Sequence, residues 1–257
     1  MHLSSTLALL LPFASAFSLP EAAPQHILSN PSDTTTSTSY PFRIPTVHES
    51  AILARRILAL TTTGTLSTIF PSSSSSSTDN ATTTLEHRPP NLGGLPIGLM
   101  DYIADCEPET GNPTLLALSI ATTFKNVAAG SNISLELRWH PPTPPSSSPF
   151  LNGAAAQPRF SLLGYLEDIQ PDVLEAVELA TCFTKAHTDA RAWLPGNRIH
   201  ESRWTRLVVQ EIYWVGGFGD RAYIGWIPRE TWANVTVEEV AGARLPGEKE
   251  ESRGWFW

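Results

Sequence analysis

The sequence is short of positive charge, of cysteine and of uninterrupted apolar runs, and each shortage closes off a class of function. Lysine and arginine number 17 against 25 aspartates and glutamates, a formal charge of -8. Recognition of a phosphate backbone rests on clustered lysine and arginine. No such cluster occurs, so nucleic acid is excluded as a partner. No apolar run reaches the roughly 20 residues that a membrane-spanning helix needs. The motifs G-x-S-x-G, H-E-x-x-H and the Gly-rich phosphate loop are also missing. His48-Glu49 and His200-Glu201 suggest acid–base or metal pairs, but adjacent residues on one element point in different directions.

Only two cysteines occur, Cys106 and Cys182. In an oxidising compartment they can pair and close a long loop. The other reading is two buried thiols, one on a loop and one on a helix. Sequence alone supplies no Cα separation to choose between them.

What is present begins with an apolar run from Leu7 to Phe13 followed by Ala14-Ser15-Ala16, a small-x-small cleavage pattern. Residues 1–16 are read as a secretory signal cut after Ala16, with His2 as the one group in its first residues that can be positive. The expected destination is the secretory pathway, ending outside the cell or in a vacuole or lysosome-like compartment. Secretory entry gives meaning to three sequons, at Asn80, Asn132 and Asn234. Two others, at Asn30 and Asn112, are blocked by proline.

Residues 17–45 are rich in Pro, Ser and Thr and cannot bury enough apolar surface to offset ordering entropy, so they are expected to be a disordered lead. An amphipathic helix follows from Thr46 or Ser50 to near Gly64, with Ile52, Leu53, Ile57, Ala59 and Leu60 at helical spacing and Arg55 and Arg56 on a solvated face. Strands are predicted over 64–70, 94–103, 114–121, 132–139 and 159–169, and a short helix over 122–131. Low-complexity insertions fall at 71–91 and 141–157. A helix opening at Pro171 and running to His187 is expected to bury Val173, Leu174 and Val177 with Ala180 or Phe183. The segment 237–257 reads as a polar, acidic tail without fixed structure.

The strongest strand signal is the stretch RWTRLVVQEIYWVGGFGDRAYIGWIP, from Arg203 to Pro228, which reads as a β-hairpin. Strict alternation places Val208, Ile212 and Trp214 on one face and Leu207, Val209, Tyr213 and Val215 on the other. Both faces are apolar, the pattern of a strand buried on two sides. Asp101, Asp105, Glu107 and Glu109 are read as solvated carboxylates around a strand end. The aromatics Tyr213, Trp214, Phe218, Tyr223 and Trp226 are read as core or dimer packing.

In order, VHESAILARRILALTTTGTLST, GLPIGLMDYI, NPTLLALSIATTFKNVAAGSNISLELRW and the closing RWTRLVVQEIYWVGGFGDRAYIGWIPRETW resemble the CREG family. These are secreted relatives of the flavin-binding split barrels of the pyridoxamine-phosphate-oxidase type. The resemblance covers most of residues 47–232, within a domain drawn at 46–236. It implies a mainly β protein with flanking helices, a six-stranded Greek-key split β-barrel that forms a homodimer. In the flavin enzymes of the superfamily, basic residues on two neighbouring elements hold the FMN phosphate. Laid on this sequence, one pair falls on Thr122 and Thr123, with Lys125 close by, and the other near Leu99 and Ile103. Four missing cations remove most of the charge-assisted bonds, each worth ~1.5–3 kcal/mol. Thr122, Thr123 and Lys125 therefore stand as a vestigial phosphate turn.

Two function classes follow. The first is a non-catalytic N-glycosylated split-barrel protein that acts by binding an unidentified protein or small molecule, with no resident cofactor and no metal. The alternative is an FMN-dependent oxidoreductase on the same fold. Haem binding is a third option, but it needs an axial ligand, and no histidine sits on the expected barrel strands.

Overall fold

The computed structural model describes residues 43–72, 88–89 and 91–249. The expected signal, most of the lead, most of the insertion at 71–91 including Asn80, and the end of the chain lie outside the described residues.

The described chain opens with helix α1, Val47–Leu60. Thr46 caps it: the Thr46 hydroxyl accepts from Glu49 N, and the Glu49 carboxylate accepts from Thr46 N. The face turned inward is Ser50, Ala51, Ala54, Arg55, Ile57 and Leu58, while Ala59 and Leu60 are exposed. The expected solvated arginines are both tied down. Arg56 pairs with Glu248, and Arg55 is 1% exposed.

Seven strands follow among the described residues: β1 Thr63–Ile69, β2 Pro96–Tyr102, β3 Thr114–Leu118, β4 Ile133–Arg138, β5 Arg159–Asp168, β6 Ser202–Val215 and β7 Ile224–Ile227. All pair antiparallel in the order β2-β1-β4-β5-β6-β3, with β7 added to the second half of β6. The sheet curls on itself. Just beyond β2, Ala104 exchanges both backbone hydrogen bonds with Thr114 at the start of β3, which joins the two ends of the path. The inner faces of β1 and β4 show the alternation that period-two strands require, with Leu66, Thr68, Ile133, Leu135 and Leu137 buried.

Strand β6 corrects the two-sided reading of the hairpin. Opposite β5 its register passes from Val209 to Glu211, so Gln210 is an extra residue. A β-bulge of this kind shifts the parity of everything beyond it. Leu207 and Val209 before the bulge and Ile212 and Trp214 after it therefore share one core face. Tyr213 on the other face is 38% exposed. The partner at the bulge is Gly164, where a Cβ would lie 2.0 Å from Val208 O, so only glycine fits there.

The remaining helices are α2 Thr122–Ala128, α3 Pro149–Asn152, α4 Val173–Ala186, α5 Arg229–Ala233 and α6 Val237–Gly242. Asp172, not Pro171, begins α4, because its carboxylate accepts from Leu174 N and Glu175 N. The burial expected for this helix is corrected too. Val173, Leu174 and Val177 are exposed, whereas Phe183, also expected, is buried with Thr184, and Leu179 and Ala180 pack half-buried beside it. The helix is anchored instead at its far end, where Cys182 is bonded to Cys106 with Cα atoms 5.8 Å apart.

Two stretches read as featureless have fixed structure. The insertion at 141–157 forms α3 and a short 3-10 turn, Ala154–Ala156, and Phe150 stacks on Phe218 of the β6–β7 turn at 4.7 Å. The expected acidic tail is ordered through Lys249. Thr236 caps α6 in a capping box with Glu239, Val240 and Leu245 are buried, and Trp139 donates from its indole to Pro246 O at 2.7 Å. The acidic composition of 237–239 serves the first turn of a helix, where negative charge is favoured.

Arg55 lies at the centre of a buried polar group beneath α1. It donates to Trp232 O at 3.1 Å and to Pro108 O, and its guanidinium sits 5.3 Å from the Trp232 ring. Asp105 lies nearby. Burial holds the Asp105 carboxyl above its ordinary range, Arg55 opposes the rise, and Glu107 adds to it. Burial likewise raises Asp101, opposed by the Tyr102 N–H and by His187. The reading of these two aspartates as solvated is thereby corrected.

A carboxyl raised by folding keeps its proton at pH values where the unfolded chain has lost it. The folded state then binds more protons, so stability falls as pH rises from the unfolded value through the folded one. Glu49 works in the opposite direction. Its bonds from Arg43 and Thr46 bring it down to about 2, so its contribution is present above the unfolded value and lost as pH falls through the folded one. A melting series is expected to show stability declining above the ordinary carboxylate range, with Asp105→Asn flattening the decline. An unchanged slope in Asp105→Asn would contradict this assignment.

Candidate functional site

The outer face of the sheet, opposite the core, carries a cavity of about 600 Å³. It is built by register. Thr65 of β1 pairs with Met100 and Glu136, Glu136 with Ser161, Ser161 with Tyr213, and Tyr213 with Trp226, so one row of side chains crosses five neighbouring strands and Met100 of β2. One step along, Arg138 pairs with Arg159, and Arg159 with Val215. Residues paired in this way project to the same side of an antiparallel sheet. Met100, Glu136, Arg138, His140, Arg159, Ser161, Tyr213 and Val215 all line the cavity.

Its surface is mixed. Met100 is 64% exposed and Tyr213 packs edge-on against Trp226 with ring centroids 5.1 Å apart. At the other end Arg138 lies against the imidazole of His140, Nε to Nε2 at 3.3 Å, and Arg159 donates to Ala155 O at 3.4 Å. Neither arginine has a carboxylate partner among the described residues.

A second cavity of about 500 Å³ lies at the disulfide and is lined by Glu107, Glu175, Glu178 and Arg206. Its one cation is committed, because Arg206 donates to Glu107 at 2.6 Å. Arg206 and Glu211 of β6, candidates by sequence for an ion pair or an interface contact, do not pair with each other: Arg206 takes Glu107, and Glu211 is exposed.

The residues singled out for a flavin phosphate fall on three elements, α2, β2 and the residue that follows β2. Thr122 and Thr123 form the first turn of α2, Thr123 buried and Thr122 half-buried, with Lys125 one turn on. Leu99 is 40% exposed on β2, but Ile103 is fully buried in the core. None of the five lines the cavity on the outer face. Of the sequons within the described residues, Asn132 and Asn234 are both exposed. His48 turns away from Glu49 to Glu239 at 2.9 Å, and His200 is exposed. Among the described residues no cluster of histidine, cysteine or carboxylate side chains could hold a metal ion, and no helix is long and apolar enough to cross a membrane.

Arg138 and Arg159 were not among the residues expected to matter. A signal was available: one closes β4, the other opens β5, and antiparallel pairing of consecutive strands makes those ends meet.

Comparison with known proteins gives two results. The family model described as "CREG, beta-barrel" matches residues 45–234. Among solved structures, a heme binding protein from Mycobacterium smegmatis is similar at 23% identity and a TM-score of 0.50, over 74% of this chain and 60% of that one. The heme storage protein HutZ from Vibrio cholerae aligns at 16% identity and a TM-score of 0.41, over 67% of this chain and 97% of that one. A putative pyridoxamine 5'-phosphate oxidase from Listeria innocua aligns at 11% identity and a TM-score of 0.37, over 65% of this chain and 96% of that one. No curated protein matches the chain.

Proposed function

Because the chain belongs to the CREG β-barrel family, we propose that it is a secreted or vacuolar, N-glycosylated split-barrel protein that acts by binding and does not catalyse a reaction. The observation that carries this reading is where the flavin-phosphate positions lie. A phosphate dianion must be met by guanidinium, ammonium or aimed N–H groups. Here two of those positions are threonines, one is an exposed leucine, and Ile103 is sealed in the core. A flavin oxidoreductase would need that set of donors in one place.

The binding site in this reading is the cavity on the outer face. Its open mouth, half-exposed tyrosine and unpaired arginines suit a small ligand with both apolar and polar parts. The similar protein from Mycobacterium smegmatis is a heme binder, which makes a small-molecule ligand reasonable for this fold. The exposed groups Tyr165 and Trp226, neither of which lines the cavity, also support pairing with a second copy. Asn132 and Asn234, both exposed, support glycan attachment. Sugar at these positions would not disturb the core.

Protein purified from the secreting host is expected to be colourless, twice the chain mass by light scattering, and lighter after glycosidase treatment. Titration with FMN should give no heat and no rise in melting temperature. Retention of stoichiometric FMN would remove the non-catalytic reading.

A further inference from the structure

Arg138 and Arg159 stand directly opposite one another on neighbouring strands. Groups so placed have Cβ atoms roughly 5 Å apart, and like charges in that relation repel. A sheet normally relieves such a pair with a carboxylate. This chain has an excess of acids, 25 against 17 bases, yet none forms an ion pair with either arginine among the described residues. Arg138 has only the His140 ring, and Arg159 only the Ala155 carbonyl. Glu136 lies two residues before Arg138 in the same cavity, and among the described residues it makes no ion pair with either arginine. Two guanidinium groups that repel each other beside an open cavity, each with five N–H donors and one neutral partner, have unused donor capacity along its lining.

We propose that the cavity on the outer face binds a small ligand by a single anionic end, a carboxylate or a phosphate, held between Arg138 and Arg159 with His140 alongside. An anion there relieves the repulsion between the two arginines and accepts charge-assisted hydrogen bonds from both. The rest of the ligand lies toward Tyr213 and Met100. An aromatic or other flat apolar body fits that wall, because Tyr213 already packs edge-on to Trp226 and leaves its own ring half-exposed. Glu136, between the arginine pair and that wall, disfavours a second negative group on the ligand. The inference rests on the reading of this cavity as the binding site and adds the chemical class of what it takes.

The test is calorimetric titration of the full glycosylated chain with three probes of one shape: benzoate, phenyl phosphate and benzyl alcohol. At least one anion is expected to bind more tightly than the alcohol, and which one does so separates the carboxylate from the phosphate source. Binding should weaken with added salt, as a partly exposed ion pair does. Arg138→Gln with Arg159→Gln is expected to weaken it at least ~10-fold, the scale of one lost charge-assisted hydrogen bond. These variants keep polar, extended side chains on strand ends, exposed at 138 and half-buried at 159, and circular dichroism checks that they fold. If they do not fold, the single variants and the salt series decide the matter. Three results overturn the proposal: no heat with either anion, equal binding of anion and alcohol, or anion binding unchanged in the double variant. If the double variant instead loses only its dimeric mass and keeps anion binding, the arginines serve an interface and the proposal also falls. Failure of the wider reading looks different. Retained FMN would remove the non-catalytic reading, whereas a colourless protein that ignores both anions would remove this inference alone.

Discussion

Replacing Cys106 and Cys182 together by alanine is expected to cost the fold about 3–4.5 kcal/mol. The two residues are 76 positions apart and bonded. In the chain-entropy account a cross-link over such a loop removes roughly 4.5 kcal/mol of unfolded-state freedom. The local structure amplifies the effect. Helix α4 exposes Val173, Leu174 and Val177 and packs through Phe183, Thr184 and the half-buried Leu179 and Ala180 near its second half alone, so its first turns have little to hold them once the bond is gone. The secondary core it completes, in which Phe183 meets Trp204 edge-on at 5.3 Å, should loosen with it. Urea unfolding of the double variant against the parent measures this directly. An unchanged midpoint would mean that α4 is held by its packing, contrary to the burial described.

Arg55→Ala is expected to be similarly severe, about 3–5 kcal/mol, the range for removing one partner from a buried charged network. The substitution strands the carbonyls of Trp232 and Pro108 and leaves Asp105 without its opposing charge. Arg55→Lys should recover only part of the loss, because an ammonium cannot reproduce the planar fork that reaches both carbonyls. Gly111→Ala probes the same point from the other side. Gly111 has φ +68, and a Cβ there would lie 2.6 Å from the guanidinium carbon. Thermal and denaturant unfolding of the three variants tests the set. Near-parental stability of Arg55→Ala would show that its buried bonds do not support the fold.

Much of the fold was legible because strands leave a period-two trace. Alternation in 132–139 and the apolar run at 114–121 located β4 and β3 within a few residues, and the order of elements carried the family. The failures have physical causes. The Gln210 bulge is a single extra residue, invisible to a strict alternation count, yet it turns a strand that looks two-sided into one with a single core face. Arg55 looked solvated because its side chain gives no hint that two backbone carbonyls wait beneath α1. The acidic residues after Thr236 looked like an unstructured tail, but they are the charged first turn of a capped helix.

The site was the least legible part. The flavin positions follow from the resemblance along the chain, and their burial does not: Thr123 and Ile103 are buried, while Leu99 is exposed. Arg138 and Arg159 are separated by the whole 141–157 segment, and only register brings them together. Their significance lies in what they lack, a carboxylate partner. A sequence does not display that.

The central claim is that this split barrel is a binding protein without a working flavin site. The absorbance spectrum of the protein purified from its native host tests it most directly, taken before and after denaturation to release any held chromophore. The account predicts no visible absorption and no flavin in the released fraction. A yellow protein that releases FMN in equimolar amount would contradict it.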